Sequence, residues 1–272
     1  MKISGPVSMC RLNLADRRTL LLFGDEHLSN KGLCKTDGMP IEQFVRQKGV
    51  DVLVESPWFP PAEVPVFVHN PRRPLEAVIA ELHSDRYAKR RTVTPIDVRT
   101  EYILENLQYA SLMLQGMRPV HQDLHAMLQA ADLRRVYQCF LRSDDLIHDL
   151  RRAGLFLRRG PKEHLIRKHL MRLASDERKA VERYFEHELS IIMREHKLLK
   201  AVLFACNILM VDVFAIIKVL LSKRFRIIVV AGYGHVCCLI SAFTKHFSAS
   251  ITFRSPRTNR RSAQFRCIAI PK

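Results

Sequence analysis

Leu20-Leu21-Leu22-Phe23-Gly24-Asp25-Glu26-His27 is the stretch whose reading decides the fold. Four apolar residues in a row, entered from the charged Ala15-Asp16-Arg17-Arg18, have the pattern of a strand covered on both faces. Gly24 then permits a sharp exit into polar residues. The pattern returns far downstream, where Phe225-Arg226-Ile227-Ile228-Val229-Val230 runs into Ala231-Gly232-Tyr233-Gly234-His235. A strand followed by Gly-x-x-His therefore occurs twice. Ligands of open α/β sheets bind outside the carboxyl ends of the strands, so two histidines delivered there are expected to converge on one site.

Working outward, Val7 to Leu14 reads as a first strand, joined to the opening one as a hairpin through the turn at Ala15 to Arg18. Beyond His27, a polar loop leads through Pro40 into a short helix over 41–48, with Gly49 at its end. The next strand, Val50-Asp51-Val52-Leu53-Val54, ends in Glu55-Ser56-Pro57. Strand, helix, strand is a βαβ unit, for which parallel pairing and a right-handed crossover are expected. The prolines from Pro57 to Pro74 mark an irregular loop over the edge of the sheet. Leu75 to Leu82 reads as a helix, and Thr92 to Arg99 as a strand that Pro95 places toward an edge.

From Thr100 to Lys200 the strand signals stop. Ile103, Leu107, Ala110 and Leu114 share one helical face, as do Val181, Phe185, Leu189 and Ile192. Breaks near Pro119 and Gly160-Pro161 divide the region into several helices with Arg and Lys on their outer faces. Ala201 to Leu221 is strongly apolar, but Asn207, Asp212 and Lys218 interrupt it, which favours a buried core helix over a membrane span. After the strand at Phe225 come a helix from about Cys237 to His246 and two last strands, Ser248 to Arg254 and Phe265 to Ile270. Between these, Arg254 to Arg261 reads as a solvated basic loop. The expected architecture is α/β, with a central, mostly parallel sheet and flanking helices. Residues 1–99 and 201–272 would build the core, and 100–200 a large helical insertion.

A chain of 272 residues can bury a sizeable core. With 47% hydrophobic and 26% charged residues, and a mean hydropathy of -0.07, it is neither disordered nor fibrous. Lys+Arg number 44 against 27 Asp+Glu, a net charge of +17. Such an excess attracts polyanions through a long-range, salt-sensitive field, so non-specific nucleic-acid contact through the basic surface is one candidate partnership, beside plain solubility. No nucleic-acid module is recognisable. The 7 cysteines contain no C-x-x-C pair and do not make a disulfide framework. No secretory signal follows Met1, and an intracellular, reducing compartment is expected.

The strand ends deliver Asp25, Glu26 and His27, then Glu55, then Asp97 with Arg99, and finally His235. Histidine titrates near neutrality and binds metals, a carboxylate ligates or acts as a base, and arginine holds a developing oxyanion. Together these would suffice for hydrolysis. In a chain with 12 histidines a single one says little; the repeated context carries the weight. His121 and His125 stand at i and i+4 but lack the glutamate of a zincin. His164, His169, His187 and His196 read as surface residues, and Cys34 as a thiol packed under a loop. There is neither a Gly-rich phosphate loop nor a G-x-S-x-G elbow.

Gly24-Asp25-Glu26-His27, Glu55, Arg99 and Gly232-Tyr233-Gly234-His235 stand in the order of the TraB/TIKI pattern, two Gly-x-x-His motifs with an intervening Glu and Arg. The chain thus resembles the EreA/ChaN-like superfamily, in short islands over most of its length. Phe23 to His27, Cys34 and Asp212 are also similar to uncharacterised viral proteins of large DNA viruses. The resemblance implies a sheet-centred α/β fold with a helical insertion and a site at the strand ends. TIKI-type members are described as metal-dependent proteases, which implies His27, Glu55 and His235 as ligands of a divalent metal ion. Arg99 would then polarise the carbonyl of a peptide or ester substrate, with Asp25, Glu26 and Asp97 orienting the ligands. Erythromycin esterases instead activate water with a histidine and acids and no obligatory metal. Haem-binding ChaN binds without catalysing, so a non-catalytic ligand-binding or polyanion-binding protein is the alternative. The first motif departs from Gly-Glu-x-His in having Asp25 at the Glu position, a carboxylate of shorter reach.

Overall fold

The computed structural model describes residues 2–4, 8–25, 38–46, 49–57, 78, 93–97, 163–195, 209–255 and 267–269. The chain divides into two units, Met1–Asp97 with Leu221–Lys272, and Val98–Leu220. Glu26, His27, Cys34, Arg99, the proline-rich segment and the pair His121 and His125 lie outside the described residues.

The first unit is built on a six-stranded mixed sheet of mostly parallel order. Its strands are β2 (Ser8–Asn13), β3 (Thr19–Asp25), β5 (Val50–Pro57), β6 (Val93–Asp97), β7 (Arg226–Gly232) and β8 (Ser250–Arg254), and β1 (Lys2–Ser4), β4 (Met39–Pro40) and β9 (Cys267–Ala269) form a separate small sheet. The large sheet has the order β6-β5-β7-β3-β2-β8. β6, β5, β7 and β3 are parallel, while β2 runs against both β3 and β8. This is an α/β sheet, and the hairpin from β2 to β3 is the one expected. Its turn is held by Leu14 N–H donating to Arg18 O at 2.8 Å and Arg18 N–H donating to Asp16 Oδ1 at 3.1 Å.

The expected βαβ unit takes another form. β3 and β5 are not neighbours, because β7 lies between them, with Ile228 opposite both Leu21 and Val52. Ile227, Ile228 and Val229 are 0% exposed and Val230 1%, so β7 is apolar on both faces, which suits a central position. The helix between β3 and β5, α1 (Ile41–Phe44), is shorter than the expected 41–48. The chain then turns, and Gly49 adopts a φ of 76°, a left-handed conformation open to glycine. α1 nevertheless buries Ile41 and Phe44 in one core with Leu21, Phe23, Val52, Val54, Ile228 and Val230. The rings of Phe23 and Phe44 meet edge to face at 5.6 Å.

The alternate residues of the same strands face α5 (Tyr233–His246). This helix begins at Tyr233, earlier than the expected Cys237, so the second Gly-x-x-His lies in its first turn. Pro95 does sit on an edge strand, β6. In the small sheet β9 falls within the strand expected over Phe265 to Ile270, while β1 and β4, of three and two residues, leave no readable period and went unforeseen.

The amino edge of the parallel strands is tied together. Thr19 N–H donates to Phe225 O at 2.8 Å and Ser222 Oγ–H to Asp51 Oδ2 at 2.6 Å, while the Arg18 guanidinium reaches Ser222 O. In the second unit the described elements are helices: α2 (Glu163–Leu170), α3 (Ser175–Glu195) and α4 (Met210–Leu221), the last ending at the unit boundary. Val181 and Phe185, expected on one apolar face, are both 0% exposed. His187 is exposed, but His169 is half-buried, edge to face with Phe214 at 5.5 Å. Asp212 is buried in α4, and among the described residues no helix is long and apolar enough to cross a membrane.

Gly24 offers a direct check on the packing of β2, β3 and α5. A Cβ there would collide with Ser8 Oγ and stand 3.3 Å from both Cα and Cδ2 of Tyr233. Gly24→Ala is expected to cost about 1–3 kcal/mol in urea unfolding, with part recovered when Ser8→Ala is added. Gly234→Ala, which meets open space, should gain up to about 1 kcal/mol of helix propensity. Equal effects at the two glycines would contradict this packing.

Candidate functional site

Parallel strands end together, and here the carboxyl edge collects Asp25 from β3, Glu55 from β5, Asp97 from β6 and Gly232 from β7. Gly24 and Asp25 stand opposite Ala231 and Gly232. Asp97 stands opposite Pro57, beyond a register shift after Val54. Because β2 runs the other way, its first residue, Ser8, shares this edge opposite Gly24.

Glu55 is the centre of the arrangement. Its expected place was just past the strand, but β5 continues to Pro57 and Glu55 lies within it, 5% exposed. Val52 and Val54 face the α1 core, so alternation turns Glu55 toward α5. There Gly232, the N-cap residue of α5, donates its N–H to Glu55 Oε2 at 2.6 Å. Glu55 Oε1 is 3.4 Å from Nε2 of His235, which is itself 9% exposed. Helix starts leave backbone N–H groups without partners, and a capping-box glutamate commonly takes the one at the N-cap. In α5 that carboxylate arrives from a neighbouring strand, and His235 occupies the third helical position where a capping-box acid would stand. The positive end of the helix complements the carboxylate.

Of the expected site residues, the structure thus brings Glu55 and His235 together. Asp25 is 2% exposed, but by alternation it follows Leu21 and Phe23 onto the α1 side, away from the pair. Asp97 is half-buried on the edge strand β6. His27, Glu26 and Arg99 lie outside the described residues. No group of three His, Cys, Asp or Glu among the described residues is placed to hold a metal ion. Glu55 Oε1 and His235 Nε2 do suit two ligands of one ion, since donors about 2.1 Å from a tetrahedral centre stand about 3.4 Å apart.

A cleft of about 430 Å³ opens on the other flank of α5, between its first two turns and the ends of β2 and β8. Ser8, Tyr233, Cys237, Arg254 and Ser255 supply its polar lining, and Val236 and Ile240 its apolar floor, with Met9 lining it while its side chain packs in the α1 core. Composition and periodicity did not point to it. Arg254 and Ser255 had been read as the start of a solvated loop. Arg254 does end a strand, β8, as also expected, but Ser255 is buried, its Oγ accepting from Met9 N–H at 2.8 Å and donating to Met9 O at 3.2 Å. The legible signal was Arg254 as the last residue of an alternating strand.

Behind the cleft wall lies Cys10. Burial pushes its thiol from the ordinary 9.0 up to about 11, with Arg254 lowering it and Cys237 raising it. A raised acid is neutral in the folded state, so its contribution to stability is present below pH 9.0 and fades as the pH climbs through about 11.

Comparison with protein-family models, with curated proteins and with solved structures gives no match to this chain.

The thiolate is the nucleophile in alkylation. Iodoacetamide at pH 8 is therefore expected to label the half-exposed Cys237 and spare Cys10 in the native protein. Peptide mass mapping reads this directly, and equal labelling of both would contradict the burial of Cys10.

Proposed function

We propose that the chain is a hydrolase acting on ester or peptide substrates at the carboxyl edge of its sheet, with His235 as the proton-transfer group and Glu55 as its partner. The observation that carries this reading is the 3.4 Å approach of Glu55 Oε1 to His235 Nε2 at the start of α5. A carboxylate beside an imidazole orients the ring and stabilises the imidazolium that forms when it takes a proton from water. Glu55 is well placed for this because its second oxygen is fixed by Gly232 N–H. Arg99 would stabilise the oxyanion, and Glu26 and Asp97 would orient the surrounding groups, whereas the alternation that turns Asp25 to the α1 side takes it out of this role. In the alternative form of this site, His27, Glu55 and His235 would instead hold a divalent metal ion, which when bound supplies Lewis acidity, and His235 would then be a ligand rather than the proton-transfer group.

An EreA/ChaN-like fold is supported by the two Gly-x-x-His motifs leaving neighbouring parallel strands, with Asp25 opposite Gly232. An intracellular site of action, in host cytoplasm or virion if the chain is viral, rests on the 7 cysteines of the sequence lacking the pattern of a disulfide framework. A non-catalytic reading, in which the fold binds a polyanion, is favoured by the net charge of +17.

Purified protein assayed against an ester and peptide library, together with its metal content, separates these readings. His235→Ala is expected to lower turnover about 10²–10⁴-fold, and Glu55→Gln to lower it by less. Turnover and metal content untouched by both substitutions would remove the pair from catalysis. Salt-dependent nucleic-acid binding that survives both, with no hydrolysis in the native protein, would favour the non-catalytic reading.

A further inference from the structure

We propose that the cleft between α5 and the ends of β2 and β8 binds a small organic carboxylate, held by Arg254 and Ser8 over an apolar floor. The site lies on the opposite flank of α5 from His235, so it stands or falls independently of the proposed hydrolysis.

A volume of about 430 Å³ suits a small ligand. Among the described residues lining the cleft, Arg254 alone is ionised at neutral pH, so the lining is cationic and attracts an anion. Ser8 supplies the second contact. The residue is 7% exposed, and its Oγ is shielded from solvent with no hydrogen-bond partner. A buried hydroxyl left unmet is destabilising, and an incoming acceptor would offset that cost. The chain makes room for this hydroxyl, since any side chain at Gly24 would collide with Ser8 Oγ. Ser255 is already committed to Met9 through its Oγ, and so braces the strand end that carries Arg254.

Val236 and Ile240 of α5 supply the apolar part of the lining, which calls for an apolar body on the ligand. One guanidinium and one hydroxyl match a monoanion. A phosphate monoester would bring a second charge into the cleft without a partner, at a desolvation cost. The chemistry therefore points to a carboxylate on a compact hydrocarbon or aryl group.

Benzoate serves as probe, benzamide as its neutral counterpart and phenyl phosphate as the dianion, each titrated calorimetrically into the full chain. Benzoate is expected to bind, with affinity reduced about tenfold by Arg254→Gln and severalfold by Ser8→Ala. Arg254 is exposed and Ser8 unpartnered, so both variants should fold as the native chain does. Benzoate should also slow iodoacetamide labelling of Cys237, on the cleft wall. Absence of benzoate binding at millimolar concentration, indifference to both substitutions, or equal binding of benzamide would overturn the proposal. Tighter binding of phenyl phosphate than of benzoate would overturn its carboxylate specificity.

Discussion

The position of β7 constrains everything else in the first unit. A strand drawn from near the end of the chain lies between β3 and β5, both drawn from its beginning, and hydrogen-bonds to each in register. Its apolar run is buried on both faces, so neither neighbour could complete the sheet without it. The same placement brings Gly232 beside Glu55 and starts α5 over the sheet, so the site geometry follows from the topology. The contacts that join β7 to β3 and β5 span the whole second unit in sequence. Such long-range pairing is slow to form, because loop closure must be met before the pairing stabilises anything.

Glu55 shows how a structural and a chemical role can share one side chain. Each of its oxygens has its own partner, a backbone N–H for one and an imidazole for the other. The hydrogen bond to Gly232 fixes where the helix begins, and with it the height at which His235 meets the sheet. A capping residue on the helix itself could not do this, since it would have no link to β5. The arrangement couples the register of a strand to the first turn of a helix through a single carboxylate.

Much of the core was legible because burial leaves a pattern. Leu20 to Phe23, Val50 to Val54 and Ile227 to Val230 are unbroken apolar runs, and each is a strand of the sheet. Pro95 marked an edge by the donor it lacks. Strand order was not legible, because it depends on which apolar run is best covered on both faces, and β3, β5 and β7 look alike in that respect. The start of α5 was missed for a related reason. Gly232 and Gly234 weaken a helical pattern, and the group that offsets this, Glu55, lies far away in the sequence. The cleft escaped notice because its polar residues come from three separate elements, and none is unusual where it stands. Of the paired histidines, His235 lies 3.4 Å from the Glu55 carboxylate and His27 lies outside the described residues, while Asp25 is turned to the other face of the sheet by simple alternation.

The two outer strands of the sheet are unequal in sequence but alike in effect. β6 carries Pro95, which breaks the row of amide donors along that side. β8 shifts register against β2 between Arg11 and Leu12 and ends in an exposed Arg254, although its Ile251 is 46% exposed. An incoming strand from another copy would find no continuous, flat template at either side. Among the described residues, both margins thus carry a feature that opposes edge-to-edge pairing of the sheet with another copy.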